Sequence, residues 1–251
     1  MSISQSLKNK IKHKYGDWAL ITGASSGIGR ALADAIAQCN LNVVLTARSE
    51  DKLNELAESL NKAYGIEAKV IPADLSNTEE VEKLIGQCGN IDISLLVAAA
   101  GFGTSGEIKN STAKDEMDML QVNCGALLRL AHHFADKFVR QKKGGIILLS
   151  SMVGFQGAPF AANYAATKAY VQSLAEAMYH ELKPHGVDVL SVAPGPVNTG
   201  FAQRANMQMD IALKPEDICK PVLKALGKKS TVLPGPLTKF LVYSMRVFPR
   251  S

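Results

Sequence analysis

No stretch of this sequence is apolar for the roughly 18–20 residues that a membrane span needs. The longest apolar run, around Ile93–Phe102, is broken by Ser94. The opening segment MSISQSLKNKIKHKYGDW contains no apolar block of signal-peptide length. A soluble, cytoplasmic protein is therefore expected. Cysteine is scarce and scattered: Cys39, Cys88, Cys124 and Cys219 stand 49, 36 and 95 residues apart, with no CxxC pair. Neither a zinc site nor a redox dithiol is indicated, and reduced buried thiols are the default. Metal-ligand patterns are missing as well. HELKPH at 180–185 has Pro184 where a second histidine would complete HExxH, and the adjacent His132 and His133 cannot share a helix face. No metal is expected.

A dominant charge sign is also lacking once the net +5 is located. Lys8, Lys10, Lys12 and Lys14 precede the first acid, Asp17, and the remaining chain carries 24 basic residues against 23 acidic ones. A basic terminus can bind nucleic acid or acidic lipid. The near-neutral body gives nucleic-acid binding no support, and residues 1 to about 16 are read as a frayed, solvated tail. What is present is ordinary globular composition, 47% apolar and 20% charged, in a chain of 251 residues, which excludes a disordered or fibrous protein.

Short Val/Ile/Leu-rich runs alternate with longer helical patterns. Trp18–Thr22, Asn42–Thr46, Ala68–Ile71, Ile93–Ala98, Gly145–Ser150, Val187–Val192 and Thr231–Leu233 suit strands buried on both faces of a parallel sheet. Between them lie Ile28–Asn40, Glu50–Tyr64, Thr78–Cys88, Thr112–Arg140, Pro159–His185 and Pro215–Leu226, each long enough for a crossover helix. In the second, Leu53, Leu56, Ala57 and Leu60 recur at helical steps. The alternation predicts one α/β domain over residues 1–251: a doubly wound parallel sheet of about seven strands with helices on both faces. Two stretches depart from it. Gly195–Leu213 has weak periodicity and follows a strand, where long loops tend to cover a site. The apolar and basic tail Pro234–Ser251 could pack back on the fold, join a subunit interface or lie on a membrane surface; the first two are favoured.

The first predicted strand ends in Thr22-Gly23-Ala24-Ser25-Ser26-Gly27-Ile28-Gly29, directly before a helix. Glycines permit the tight turn and close approach of a ligand, and the helix start offers free N–H groups and its positive dipole end to a phosphate. An acid about twenty residues on would bind the 2′-hydroxyl of NAD. Here the second strand ends in Leu45-Thr46-Ala47-Arg48-Ser49. An arginine there matches the 2′-phosphate of NADP(H). The same loop reads GxSxG with Ser25 at its centre, the nucleophile elbow of a serine hydrolase, but that reading leaves Gly29 and Arg48 unexplained.

Tyr164 and Lys168 stand at i,i+4 early in a predicted helix, a turn apart on one face. A neighbouring cation should lower the tyrosine pKa from its usual value near 10, suiting it to proton exchange. Ser150-Ser151 ends the fifth strand, where ligands of open α/β sheets bind, and a hydroxyl there can support a developing oxyanion.

With these residues the sequence resembles the short-chain dehydrogenase/reductase family over nearly its whole length. The resemblance is carried by TGASSGIG at 22–29, Asp74, Asn123, Ser151 thirteen residues before Tyr164, YAATK at 164–168 and PGPVNT at 194–199. It implies a Rossmann-type sheet and a catalytic set of Ser151, Tyr164 and Lys168, with Asn123 supporting a proton-relay water. It also implies a nicotinamide cofactor held by the glycine loop, Arg48, Ser49, Asp74 and Leu75 at the adenine, Ala100, Gly101, Tyr164 and Lys168. Pro194, Gly195, Val197 and Thr199 would border the nicotinamide. One departure is Ala98-Ala99-Ala100-Gly101, where the family usually has Asn-Asn-Ala-Gly. The expected activity is hydride exchange between NADP(H) and a carbonyl or alcohol of a hydrophobic small molecule. Phe102, Met152, Val153, Phe155, Phe160, Phe201 and Met207 are candidates for the apolar pocket. A homodimer or homotetramer through Thr112–Arg140 and Pro159–His185 is implied. A dinucleotide-binding protein without catalysis is the alternative that the intact Ser–Tyr–Lys set opposes.

Overall fold

The computed structural model describes residues 3–199 and 212–247. Seven strands form one sheet: β1 (Trp18–Thr22), β2 (Asn42–Thr46), β3 (Ala68–Val70), β4 (Ile93–Ala98), β5 (Gly144–Leu149), β6 (Val187–Val192) and β7 (Thr231–Val232). Their order is β3-β2-β1-β4-β5-β6-β7, and every pairing is parallel. The chain winds outward from β1 to β3, then crosses back to β4 and proceeds the other way. The reversal leaves a crevice between the C-terminal ends of β1 and β4, the place where ligands of such sheets bind.

The period of two along each strand divides the apolar residues between two cores. Ala19, Ile21, Val43, Leu45, Leu95 and Val97 face one layer, which contains α2 (Gly27–Ala37), α3 (Glu50–Tyr64) and α8 (Pro215–Ala225). Leu20, Val44, Leu96, Ile146 and Leu148 face the other, built from α4 (Thr78–Gln87), α6 (Leu127–Gln141) and α7 (Ala162–Leu182). The α3 stripe Leu53, Leu56, Ala57 and Leu60 is buried, as its spacing predicts.

Three segments differ from expectation. The basic N-terminus is no frayed tail. Residues Gln5–Tyr15 form α1, and Ile3, Leu7, Ile11 and Tyr15 are buried at four-residue steps. The lysines between them obscured this narrow stripe, whereas burial along one helix face needs only every fourth residue. Tyr15 reaches under the sheet: its phenol donates to Asp188 Oδ2 at 2.7 Å, Lys14 pairs with the same carboxylate at 2.5 Å, and Ser94 Oγ donates to the Tyr15 carbonyl. The second segment is the helix expected over Thr112–Arg140. It is α5 (Ala113–Leu120) continued through a π-helical stretch, Gln121–Ala126, into α6. In the third, α7 begins at Ala162 rather than Pro159, because Phe160 takes a left-handed backbone with φ 62°. The C-terminal segment forms α9 (Pro236–Val247), with Thr238 and Val242 buried. Of the long loop Gly195–Leu213, only the stem is described. Asn198 N donates to Leu213 O at 2.8 Å and Leu213 N to Pro196 O at 3.0 Å; residues 200–211 lie outside the described residues.

If α1 is part of the core, Ile11→Ala should cost about 2–4 kcal/mol. Lys8→Ala, on its shoulder, should stay within about 0.5 kcal/mol. Urea unfolding of the two variants checks this; equal, negligible effects would mean that the helix does not pack.

Candidate active site

The glycine loop joins β1 to α2 at the crevice. Gly23 has φ 67°, and a Cβ there would lie 2.8 Å from Ala100 Cα, so the loop after β4 can pack directly against it. At Gly29 a Cβ would lie 2.3 Å from the Gly23 carbonyl oxygen. Only glycine lets α2 approach its own entrance turn this closely. The first helical bond runs from Arg30 N to Ser26 O at 3.2 Å, and no side chain caps the helix. The amides of the first turn, at Gly27, Ile28 and Gly29, are thus presented as donors beside Ser25 and Ser26. Thr199, from the segment after β6, closes the other side: its Cγ2 would be 3.1 Å from a Cβ on Gly27.

Thr22 accounts for the alanines that stand in place of asparagines. Its Oγ1 accepts hydrogen bonds from both Ala99 N and Ala100 N at 3.0 Å. The turn after β4 is held by β1 through backbone donors, without an asparagine side chain at 98 or 99. Gly101 then passes between catalytic candidates, because a Cβ there would sit 2.9 Å from Asn123 Oδ1 and 3.4 Å from Lys168 Nζ.

β5 and α7 are tied together twice. Lys168 Nζ donates to Leu149 O at 2.8 Å, and Ser150 Oγ donates to Lys168 O at 2.9 Å. Ser151 follows as the cap of a short 3₁₀ turn, Met152–Phe155, and is buried. Its hydroxyl hydrogen-bonds the Tyr164 phenol. Lys168 Nζ lies 5.7 Å from the Tyr164 ring centre. Burial pulls the Lys168 ammonium down to about 8. Burial also pushes the Tyr164 phenol up to about 12, with the Ser151 bond acting in the opposite direction. This corrects the expectation that the phenol would fall below 10: loss of water around the phenolate outweighs the Ser151 bond that favours it.

Asn123, fully buried in the π stretch, clamps the loop after β4 to α7. Its Nδ2 donates to Phe102 O at 2.9 Å and to Thr167 Oγ1 at 3.0 Å, and its Oδ1 accepts from Phe102 N at 3.1 Å. Thr167 in turn donates to Tyr164 O at 2.8 Å. The side chain expected to support a water is thereby engaged in holding two site segments. Sequence reasoning missed Thr22, Thr167 and the π stretch. It also missed Cys124, a buried thiol close to Lys168 that burial raises to about 11 and so keeps protonated and uncharged. Thr167 had one available signal, its place three residues after Tyr164.

The remaining candidates divide. Met152 N donates to Pro194 O at 2.9 Å, and Gly195 N to Thr238 Oγ1 at 3.2 Å, setting the post-β6 segment beside Ser151. Val197 pairs with Leu213 in an isolated bridge. Asp74 accepts from Ser76 N at 3.0 Å and Ser76 Oγ at 2.9 Å, shaping the turn in which Leu75 is buried. Arg48 and Ser49 are exposed at the end of β2. Arg48 takes part in none of the ion pairs among the described residues.

Phe102, Met152 and Val153 are half-buried near Tyr164. Phe160 departs from the expected pocket position: it is 65% exposed, and its carbonyl accepts from Gly106 N at 2.8 Å, stitching two rim loops together. Its left-handed backbone turns the side chain outward instead of into a closed cavity. Asn163 Nδ2 adds a second stitch, donating to Glu116 Oε2 at 2.7 Å. Phe155 lines a separate groove at the β7 edge. Phe201 and Met207 lie outside the described residues.

The model of the short chain dehydrogenase family matches residues 17–210. The 7beta-hydroxysteroid dehydrogenase of Collinsella aerofaciens is 32% identical over 243 residues, covering 94% of this chain and 92% of the relative. The very-long-chain 3-oxoacyl-CoA reductase of Phaeosphaeria nodorum is 32% identical over 222 residues, 85% of this chain and 64% of that one. Among solved structures, a 7beta-hydroxysteroid dehydrogenase superposes with a TM-score of 0.88 at 32% identity, covering 94% of each chain. A short-chain dehydrogenase from Sphingobium yanoikuyae in complex with NADPH gives 0.84 at 28% identity, covering 94% of this chain and 98% of that one.

The chain belongs to the short-chain dehydrogenase family. It is an NAD(P)-dependent oxidoreductase acting on CH–OH or C=O groups. The family assignment replaces the hydrolase reading of Ser25, which sits in the glycine loop between β1 and α2. The free amides of α2 and the glycine cradle fit a dinucleotide phosphate.

Proposed function

We propose that this enzyme interconverts a carbonyl and an alcohol on a hydrophobic small molecule with NADP(H), working in the cytoplasm. The observation that carries the reading is the buried Ser151–Tyr164 hydrogen bond beside the Lys168 ammonium. Arg48, exposed at the end of β2 with no acid in its place, supports a preference for the 2′-phosphate. A neighbour's NADPH complex is consistent with it. The steroid and long-chain acyl relatives, together with Phe102, Met152 and Val153, support an apolar substrate.

In the reductive direction the nicotinamide supplies the hydride. Tyr164 donates its proton to the substrate oxygen, and the high pKa of the buried phenol keeps that proton in place at neutral pH. Ser151, turned toward the same phenol, holds the oxygen by a hydrogen bond as charge develops. Lys168 presents a cation behind the phenol and stabilises the phenolate left after transfer. Asn123 acts by position, fixing Phe102 and Thr167 so that α7 and the loop after β4 keep a constant gap. Met117, Leu120, Leu128 and Tyr170 are exposed apolar residues on α5, α6 and α7, and support a homo-oligomer assembled through these helices.

One assay series tests the reading, with a hydrophobic ketone and nicotinamide fluorescence. Tyr164→Phe should lower kcat by about 10²–10⁴-fold while NADPH binding persists; retained turnover would remove Tyr164 from its role. Arg48→Asp should weaken NADPH by about tenfold or more, the loss of a charge-assisted contact, and leave NADH nearly unaffected. Equal effects on both nucleotides would contradict the phosphate contact.

A further inference from the structure

α9 presents two different faces. At 100° per residue, Thr238 and Val242 point together into the fold and are buried, and Thr238 accepts the Gly195 amide at 3.2 Å. The opposite side carries Leu237, Phe240 and Tyr243, which are 44%, 69% and 59% exposed. Phe240 stands at the crest with the other two on its flanks. Three adjacent large apolar side chains facing solvent form a patch that calls for a partner.

Beside this ridge runs a groove of about 310 Å³ between α9, β7, the end of α8 and Phe155. Pro221 and Val232 contribute apolar wall, while Lys224, Lys229 and Lys239 supply its charge. None of these lysines joins an ion pair among the described residues. A second copy seated here across a two-fold axis would bring the same lysines together without carboxylates lining the groove. The charge therefore selects an anionic partner, and the ridge selects one with an apolar interior.

We propose that this face docks on the surface of an anionic lipid bilayer. Leu237, Phe240 and Tyr243 enter the interfacial zone, where amphipathic aromatic rings are favoured, and Lys224, Lys229 and Lys239 meet lipid phosphates. No helix among the described residues is long and apolar enough to cross a membrane, so the contact is peripheral. The buried face of α9 packs on the segment after β6, since a Cβ on Gly195 would lie 2.5 Å from Thr238 Oγ1 and 3.4 Å from Met152 Sδ, so a docked ridge leaves that segment on the protein side of the helix. Docking does not depend on the substrate class.

Co-sedimentation of the full chain with phosphatidylcholine vesicles, with and without phosphatidylglycerol, tests this. Binding to the anionic vesicles should exceed that to the neutral ones by about tenfold or more and fall with added salt. Phe240→Ser should weaken it by about fivefold, and Lys224→Glu/Lys229→Glu/Lys239→Glu should abolish it, with circular dichroism melting unchanged. A wild-type chain that stays in the supernatant with both vesicles would overturn the proposal, as would variants that bind like the wild type. A Phe240→Ser chain of smaller mass by light scattering, from a wild type that ignores vesicles, would assign the face to a second copy instead.

Discussion

The proposed active site depends on where the Lys168 amine is made to sit. It is buried, hydrogen-bonded to the Leu149 carbonyl at the end of β5, and paired with no carboxylate among the described residues. Taking a cation out of water is unfavourable, which is why its pKa falls to about 8. The Leu149 carbonyl answers part of that cost, and a hydrogen-bonded frame holds the helix that carries the amine: Ser150 on the Lys168 carbonyl, Asn123 on Thr167, and Thr167 on Tyr164. The first joins α7 to the end of β5, the second joins it to the π stretch, and the third lies within α7 itself. The phenol and the ammonium are fixed relative to the sheet, and the sheet fixes the glycine loop after β1.

The same sheet explains why the site lies where it does. Its order reverses between β1 and β4, so the glycine loop and the Ala98–Gly101 turn meet at their C-terminal ends. Gly23 and Gly101 leave no room for a side chain, one against Ala100 and the other against Asn123 and Lys168. At the opposite end of the strands, α1 closes the molecule through Tyr15 and Asp188. Binding chemistry and structural closure thus occupy the two ends of one sheet.

Much of this was legible in the residues. Short, continuous apolar runs pointed to the strands, and Trp18–Thr22, Asn42–Thr46, Ile93–Ala98 and Val187–Val192 have the expected bounds. Spacing alone paired Tyr164 with Lys168, and the family resemblance joined Ser151 to them. What the residues did not reveal depended on three-dimensional surroundings. The α1 stripe is too narrow to stand out among lysines. The π stretch has no local code in Gln121–Ala126. The rise of the Tyr164 pKa is a burial effect that i,i+4 spacing cannot report. Phe160 reads as a pocket residue until its backbone angle turns it to solvent.

The pH dependence of kcat/KM for carbonyl reduction tests the account most directly. With Tyr164 protonated well into the alkaline range and Lys168 titrating near 8, raising the pH removes the ammonium first. The account predicts a decline in kcat/KM setting in near pH 8, absent in Lys168→Met, whose activity is low throughout. A wild-type profile flat from pH 7 to about pH 10, the ordinary lysine range, would contradict a buried Lys168 acting behind the Tyr164 phenol.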